Sequence, residues 1–126
     1  MERVTFDMIK EAAETIKGSV KRTQIVECPT MEALTGNKVF FKLENLQKTG
    51  SFKIRGALNK IMHLTDEEKK RGVIASSAGN HAQGVALGAT NLGIKSTIVM
   101  PGTAPLSKVV ATRNYGAEVV QVGTVY

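Results

Sequence analysis

Two short stretches carry residues whose types and spacing could do chemistry. The first is "KTGSFKIRGA", residues 48–57, where Lys53 and Arg55 follow a Thr-Gly-Ser turn at the start of a helical pattern. Cations are disfavoured there, because a helix carries partial positive charge at its N-terminus. Such a lysine has two readings. It is a surface residue with its stem along the helix, or burial, Arg55 and the helix dipole depress its pKa from the reference of ~10.4. A neutral amine is a nucleophile and can form a Schiff base. The pattern by itself favours the surface reading.

The second stretch is "SSAGNHAQG", residues 76–84. A strand feeds a turn containing Ser77, Gly79, Asn80 and His81, and a helix begins at once. Free backbone N–H groups and the dipole at such a helix start suit a carboxylate or phosphate. Gly79 lets a backbone approach closely, and Asn80 offers both donor and acceptor. The competing reading is a capped helix after a tight turn. The segment matches neither the dinucleotide fingerprint nor the phosphate loop. His81 is either ligand-facing or a polar cap, His63 reads as a helix-end residue, and Cys28 beside Pro29 reads as a buried small side chain. No His, Cys and carboxylate grouping has metal-ligand spacing, and no Ser-His-Asp set can be assembled.

The elements that must position these residues follow from periodicity. Phe6, Ile9, Ala13 and Ile16 share one helical face, so residues 5–17 predict an amphipathic helix ending at Gly18. Residues 19–37 are mixed, with "CPT" and "TGN" as loop and turn signals. "KVFFKLE" predicts a strand, and "FKIRGALNKIMHL" a helix with Ser51 placed to cap it. "TDEE", residues 65–68, is a capping-box pattern. Then "GVIAS", "STIVM" and "AEVVQV" predict strands, alternating with helices over "HAQGVALGATNLG" and about Ser107–Tyr115. The alternation predicts an open parallel sheet with crossover helices, its strand-to-helix turns at the carboxyl edge where α/β sheets bind ligands. Only "GTVY" follows the last strand, with no covering helix after it, so the chain reads as cut short.

Composition excludes several classes. The 126 residues are 42% hydrophobic and 22% charged, ordinary for a globular domain. No apolar run approaches the ~20 residues of a membrane helix, and the N-terminus has no signal-peptide core. One cysteine fits a reducing cytoplasm. The net charge of +6 comes from scattered lysines, and aromatic residues are only 5%, so nucleic-acid binding is not expected.

"QKTGSFKIRGA" followed by "SSAGNHAQGVA" resembles the fold-type II pyridoxal-phosphate enzymes, and within them the serine and threonine dehydratases, above all the catabolic threonine ammonia-lyases. The resemblance runs over essentially the whole chain, including "MPGTAPLSKVVATRNYGAEVV". Serine racemase shares nearly the same set. The resemblance implies that Lys53 is the Schiff-base lysine of pyridoxal 5'-phosphate, that Phe52 packs against the cofactor ring, and that Asn80 hydrogen-bonds its phenolic oxygen. It implies that the turn Ser77, Ala78, Gly79, Asn80 and His81 receives the substrate carboxylate on backbone N–H groups. Ala78 departs from the Ser or Gly of many relatives but leaves the backbone donors in place.

The implied reaction is β-elimination, L-threonine giving 2-oxobutanoate and ammonia, and L-serine giving pyruvate. Some catabolic members are activated by AMP or a similar nucleotide, and the matching positions are Lys48, Thr49, Gln83 and Asn114. The family organisation implies that residues 1–47 belong to a large domain and residues 48–126 to the small α/β domain, with "KVFFKLE" outside the later strands' sheet. A homo-oligomer is the family expectation. The family's glycine-rich phosphate loop has no counterpart here, so the chain is expected to be inert alone. Two alternatives stand beside this reading: a racemase on the same scaffold, and a non-catalytic domain that senses an amino acid or nucleotide.

Overall fold

A computed structural model describes residues 3–124. Two sheets organise them. The first pairs two short antiparallel strands, β1 (Ile25–Glu27) and β2 (Phe40–Lys42), with Val26 opposite Phe41. The second is parallel, in the order β3 (Val73–Ser76), β4 (Ser96–Met100) and β5 (Glu118–Gln121), with Ala75, Ile98 and Val119 in register. The expected separation of "KVFFKLE" from the later strands is therefore present.

Helix α1 (Phe6–Thr15) is capped by the Thr5 hydroxyl and stops one turn before Gly18. Residues 19–37, expected as mixed loop, instead contain β1 and a helix α2 (Pro29–Thr35). Pro29 occupies the first helical turn, where its missing N–H costs nothing, and Gly36 ends the helix at φ 68°. Cys28 precedes α2 and is half-buried, not enclosed as expected, since α2 itself buries no residue.

A short 3-10 turn (Glu44–Leu46) follows β2, then α3 (Lys53–Met62) and α4 (Asp66–Arg71). The Thr65–Glu68 capping box is formed in both directions. Ser51 does not cap α3. Phe52 takes the N-cap position in helical conformation, and the Ser51 hydroxyl is turned inward, 8% exposed and without a partner. The chain reaches α3 through a tight turn in which the Gly50 N–H donates to the Gln47 carbonyl and Gly50 adopts φ 67°. That turn directs Ser51 away from the helix end.

The core lies between the parallel sheet and the helices α5 (Asn80–Asn91) and α6 (Leu106–Asn114), with α3 packed on α5. Ile98, Val109, Ala82, Ala86 and Ala89 are at or near zero exposure. Small residues on α5 allow a close approach to α3. A Cβ on Gly88 would lie 3.3 Å from Ile61 Cδ1. Among the described residues no helix is long and apolar enough to cross a membrane.

Candidate active site

The site is built where α3 meets α5. Lys53 is the first residue of α3 and Asn80 the first of α5. Gly84 lies one turn along α5 from Asn80, on the same face. A Cβ there would sit 3.1 Å from the Lys53 carbonyl carbon, 3.2 Å from its oxygen and 3.1 Å from the Ile54 nitrogen. This contact sets the start of α3 against the start of α5, so the two motifs singled out in the sequence are brought together.

Lys53 itself is exposed, and its Nζ lies 5.1 Å from the centre of the Phe52 ring, which is 59% exposed. Burial and a free Arg55 charge were expected beside Lys53. Neither premise holds in this structure. The lysine is not buried, and the Arg55 guanidinium is engaged by Glu44, with Nε and Nη2 each 2.8 Å from a carboxylate oxygen. The same contact holds the Glu44 carboxyl well below the usual range, at about 2. Arg55 is raised in turn by its hydrogen bond to Glu44.

The turn between β3 and α5 uses some of its own donors. The Ser77 N–H donates to the Val99 carbonyl, and the Ser77 hydroxyl accepts from the Gly79 and Ala82 N–H groups. This leaves Ala78, Asn80 and His81 with N–H groups that have no partner among the described residues. The five-residue turn, residues 77–81, therefore has three free backbone donors. No protein atom lies within 4 Å of where a Cβ on Gly79 would stand. His81 is exposed, and His63 ends α3 with its Nδ1 2.8 Å from the Asn59 carbonyl. The Asn80 side chain is exposed, and Lys108 of α6 donates to its Oδ1 at 3.4 Å. That contact leaves the amide N–H₂ of Asn80 free to donate.

The charges around this edge are one-sided. Helices α3, α5 and α6 have no acidic residue in their first turns, whereas α4 has Asp66, Glu67 and Glu68. At α4 the acids complement the helix dipole. At the other three the positive field is left for something else, reinforced by Lys53 and Lys108. An amine at the start of α3, with free N–H groups and an amide donor at the start of α5, in a positive field, suits a small molecule with an electrophilic carbonyl and anionic groups.

The four positions matched to a nucleotide effector divide. The Tyr115 hydroxyl donates to the Lys48 carbonyl at 3.2 Å, which joins the end of α6 to the turn before α3 and places Asn114 nearby. Lys48 and Asn114 are exposed, but Thr49 and Gln83 are only 4% and 6% exposed. The residues that sequence reasoning missed are Gly84, Lys108 and Glu44. A glycine inside a helix costs about 1 kcal/mol against alanine and so signals a packing reason. Lys108 and Glu44 had no such signal, because their partners are distant in the chain. Among the described residues no cluster of His, Cys, Asp and Glu could hold a metal.

Comparison with known proteins places this geometry. Residues 16–126 match the family described as pyridoxal-phosphate dependent enzyme. The chain is 57% identical over 123 residues to an L-threonine ammonia-lyase of Thermotoga maritima, covering 98% of the chain and 31% of the relative. Among solved structures it is similar to maize serine racemase, with a TM-score of 0.92 and 42% identity over 98% of the chain and 37% of that structure. It is similar also to the processed form of a threonine deaminase from Solanum lycopersicum, with a TM-score of 0.82 and 35% identity over 97% of the chain and 35% of that structure. The chain spans about a third of the length of the curated relatives it matches.

Proposed function

Since the chain belongs to the pyridoxal-phosphate dependent enzymes, we propose that it supplies the lysine-bearing part of an enzyme that converts L-threonine to 2-oxobutanoate and ammonia, and L-serine to pyruvate. The observation that carries this is the Gly84 contact, which sets Lys53 beside the donors at the start of α5. The 57% identity to an L-threonine ammonia-lyase supports the choice of reaction.

The residues present fit the cofactor. An exposed amine, a free Asn80 amide N–H₂ and open space over Gly79 are what a ring aldehyde with a neighbouring phenolic oxygen requires. When bound, pyridoxal phosphate supplies the electron sink for charge left at the substrate α-carbon. Lys53 would hold the cofactor, and its Nζ would serve as the base that takes the substrate α-proton. Asn80 would donate to the ring oxygen, and Phe52 would pack beside the ring. The N–H groups of Ala78, Asn80 and His81 receive the substrate carboxylate, which the α5 dipole favours. The substrate loses its α-proton and β-hydroxyl as water. Hydrolysis of the product then returns one water and releases ammonia.

Residues 1–47 form part of a larger domain and residues 48–126 the small one in this reading; the exposed apolar side chains of Phe6, Leu34 and Phe40 support it. The chain alone is inert, and activity requires the polypeptide that makes up the rest of its relatives' length. The complete protein is a cytoplasmic homo-oligomer. An AMP-type effector is placed at Lys48, Thr49, Gln83 and Asn114, supported by the Tyr115–Lys48 link. Calorimetry with AMP on the complete protein and its Lys48→Ala variant tests this, and equal heats from both would remove the assignment.

The decisive assay incubates the complete protein with threonine and with serine and measures 2-oxo acid. Absence of keto acid from both sinks the elimination reading. The likeness to maize serine racemase supports a second reading, racemisation of serine. Chiral chromatography of serine after turnover separates the two.

A further inference from the structure

Lys53 must start from one backbone position if its amine is to reach a fixed carbon, yet the first turn of α3 holds two cations and no acid. The compensation comes from outside the helix. Glu44, in the 3-10 turn after β2, takes both the Nε and Nη2 of Arg55 at 2.8 Å, a forked pair whose planarity fixes direction as well as distance. The same Nη2 donates to the Lys21 carbonyl at 3.0 Å, and the Thr23 hydroxyl donates to Glu44. Lys42, at the end of β2, donates to the Thr23 carbonyl. The side chains of Glu44 and Arg55 are 16% and 30% exposed, so solvent screens them little. These contacts fasten the approach to β1 and the end of β2 to the turn of α3 that bears Lys53. On the other side, Gly84 of α5 meets the Lys53 carbonyl. The start of α3 is thus held from two directions, one polar and one by close packing.

We propose that Glu44 and Arg55 are a positioning pair for Lys53, acting through the backbone of the first turn of α3 and not by contact with any ligand. The proposal rests on Lys53 being the cofactor lysine. A planar guanidinium is required, because an ammonium cannot hold both carboxylate oxygens and the Lys21 carbonyl in one plane.

The test uses the complete protein, titrated with pyridoxal phosphate. It reads the visible band that forms when the cofactor joins a lysine, the mass adduct on Lys53 after borohydride reduction, and the thermal midpoint. Arg55→Lys and Glu44→Gln are expected to weaken apparent cofactor affinity about tenfold, since small misplacements of reacting groups cost this much or more. The double variant is expected to lose little beyond either single one, because the pair acts as a unit. Arg55→Lys keeps the charge and serves where Glu44→Gln fails to fold. Variants with a lower thermal midpoint but an unchanged titration and adduct would overturn the proposal, leaving the pair a stabilising contact only. Fully additive losses would also overturn it. A band missing from the unsubstituted protein would instead overturn the enzyme reading, and this inference with it.

Discussion

Residues 3–46 and residues 53–121 are built by different physics. The second region has a continuous core of α3, α5, α6 and the parallel sheet, where Ala82, Ala86, Ala89 and Ile98 have no exposed surface. The first region contributes only Ile16 to the buried apolar residues, while Phe6, Ile9, Leu34 and Phe40 are 71%, 56%, 76% and 51% exposed. Two three-residue strands cannot stabilise themselves in water. Polar contacts hold this region in place instead. Gln47, 4% exposed, accepts from the Lys21 and Lys48 N–H groups and donates to the Lys21 carbonyl. Lys48 Nζ reaches the Ser19 carbonyl, and Glu44 grips Arg55. The lesson is that apolar burial makes the scaffold of the site, while a directional polar seam aligns it. Lys53 lies at that seam.

The comparison can be broken at its centre. Lys53→Ala in the complete protein is expected to abolish the visible band with pyridoxal phosphate. Because the side chain is exposed, its thermal unfolding should stay within ~0.5 kcal/mol of the parent. A variant that kept the band would refute the assignment of the lysine. The contrast between regions is sharpened by a pair of truncations. Ile98→Ala should cost about 2–5 kcal/mol, as for other fully buried aliphatic residues. Leu34→Ala, at 76% exposure, should change stability by less than ~0.5 kcal/mol in this chain. Similar losses from both, in denaturant melts, would erase the distinction.

The polar seam has a pH signature. Glu44 is held down to about 2 by its hydrogen bonds to Arg55, assisted by Thr23. A carboxylate lowered on folding stabilises the protein above its unfolded pKa, and that contribution fades as pH falls through the folded value. Glu44→Gln should therefore cost about 1.5–3 kcal/mol at neutral pH, typical of hydrogen bonds to charged groups. The gap from the parent should close between the ordinary carboxylate range and pH ~2. Paired thermal melts across that interval check it, and a gap independent of pH would contradict the assignment.

Gly84→Ala tests the packed side of the seam. The new methyl meets backbone atoms of Lys53 and Ile54 at 3.1 Å, an overpacking cost of ~1–3 kcal/mol, offset by ~1 kcal/mol of better helix propensity. A net loss of up to about 2 kcal/mol is expected by chemical denaturation, with a weaker visible band. Thr65→Ala removes the α4 cap and should cost ~1 kcal/mol without altering cofactor binding. An equal effect on the band would show that the second region does not separate scaffold from site.

Much of the second region was legible. Short apolar runs bounded by glycine turns read as parallel strands, though only β4 is largely buried, and "TDEE" read as a capping box, since each depends on local chemistry alone. The first region was less so. β1 has three residues, too few to show alternation, and α2 was hidden because "CPT" resembles a loop although proline suits a first helical turn. Ser51 was misplaced as a cap for the reverse reason. Its type fits a cap, but the turn at Gly50 directs its hydroxyl inward. At the site, both motifs stood out by residue type and spacing. Their juxtaposition did not, since it depends on a contact between Gly84 and the Lys53 backbone.

The sequence by itself determined the alternation of strands and helices, the two motifs and the family they resemble. It also determined that three helix starts lack acids. These are properties of neighbouring residues, fixed by periodicity, turn chemistry and charge. Only the tertiary structure decided that Lys53 is exposed, that Ser77 uses two donors of its own turn, and that Arg55 is taken by Glu44. Solvent access and the choice of hydrogen-bond partner depend on which distant atoms arrive within 3 Å or so. No local pattern along the chain encodes that arrival.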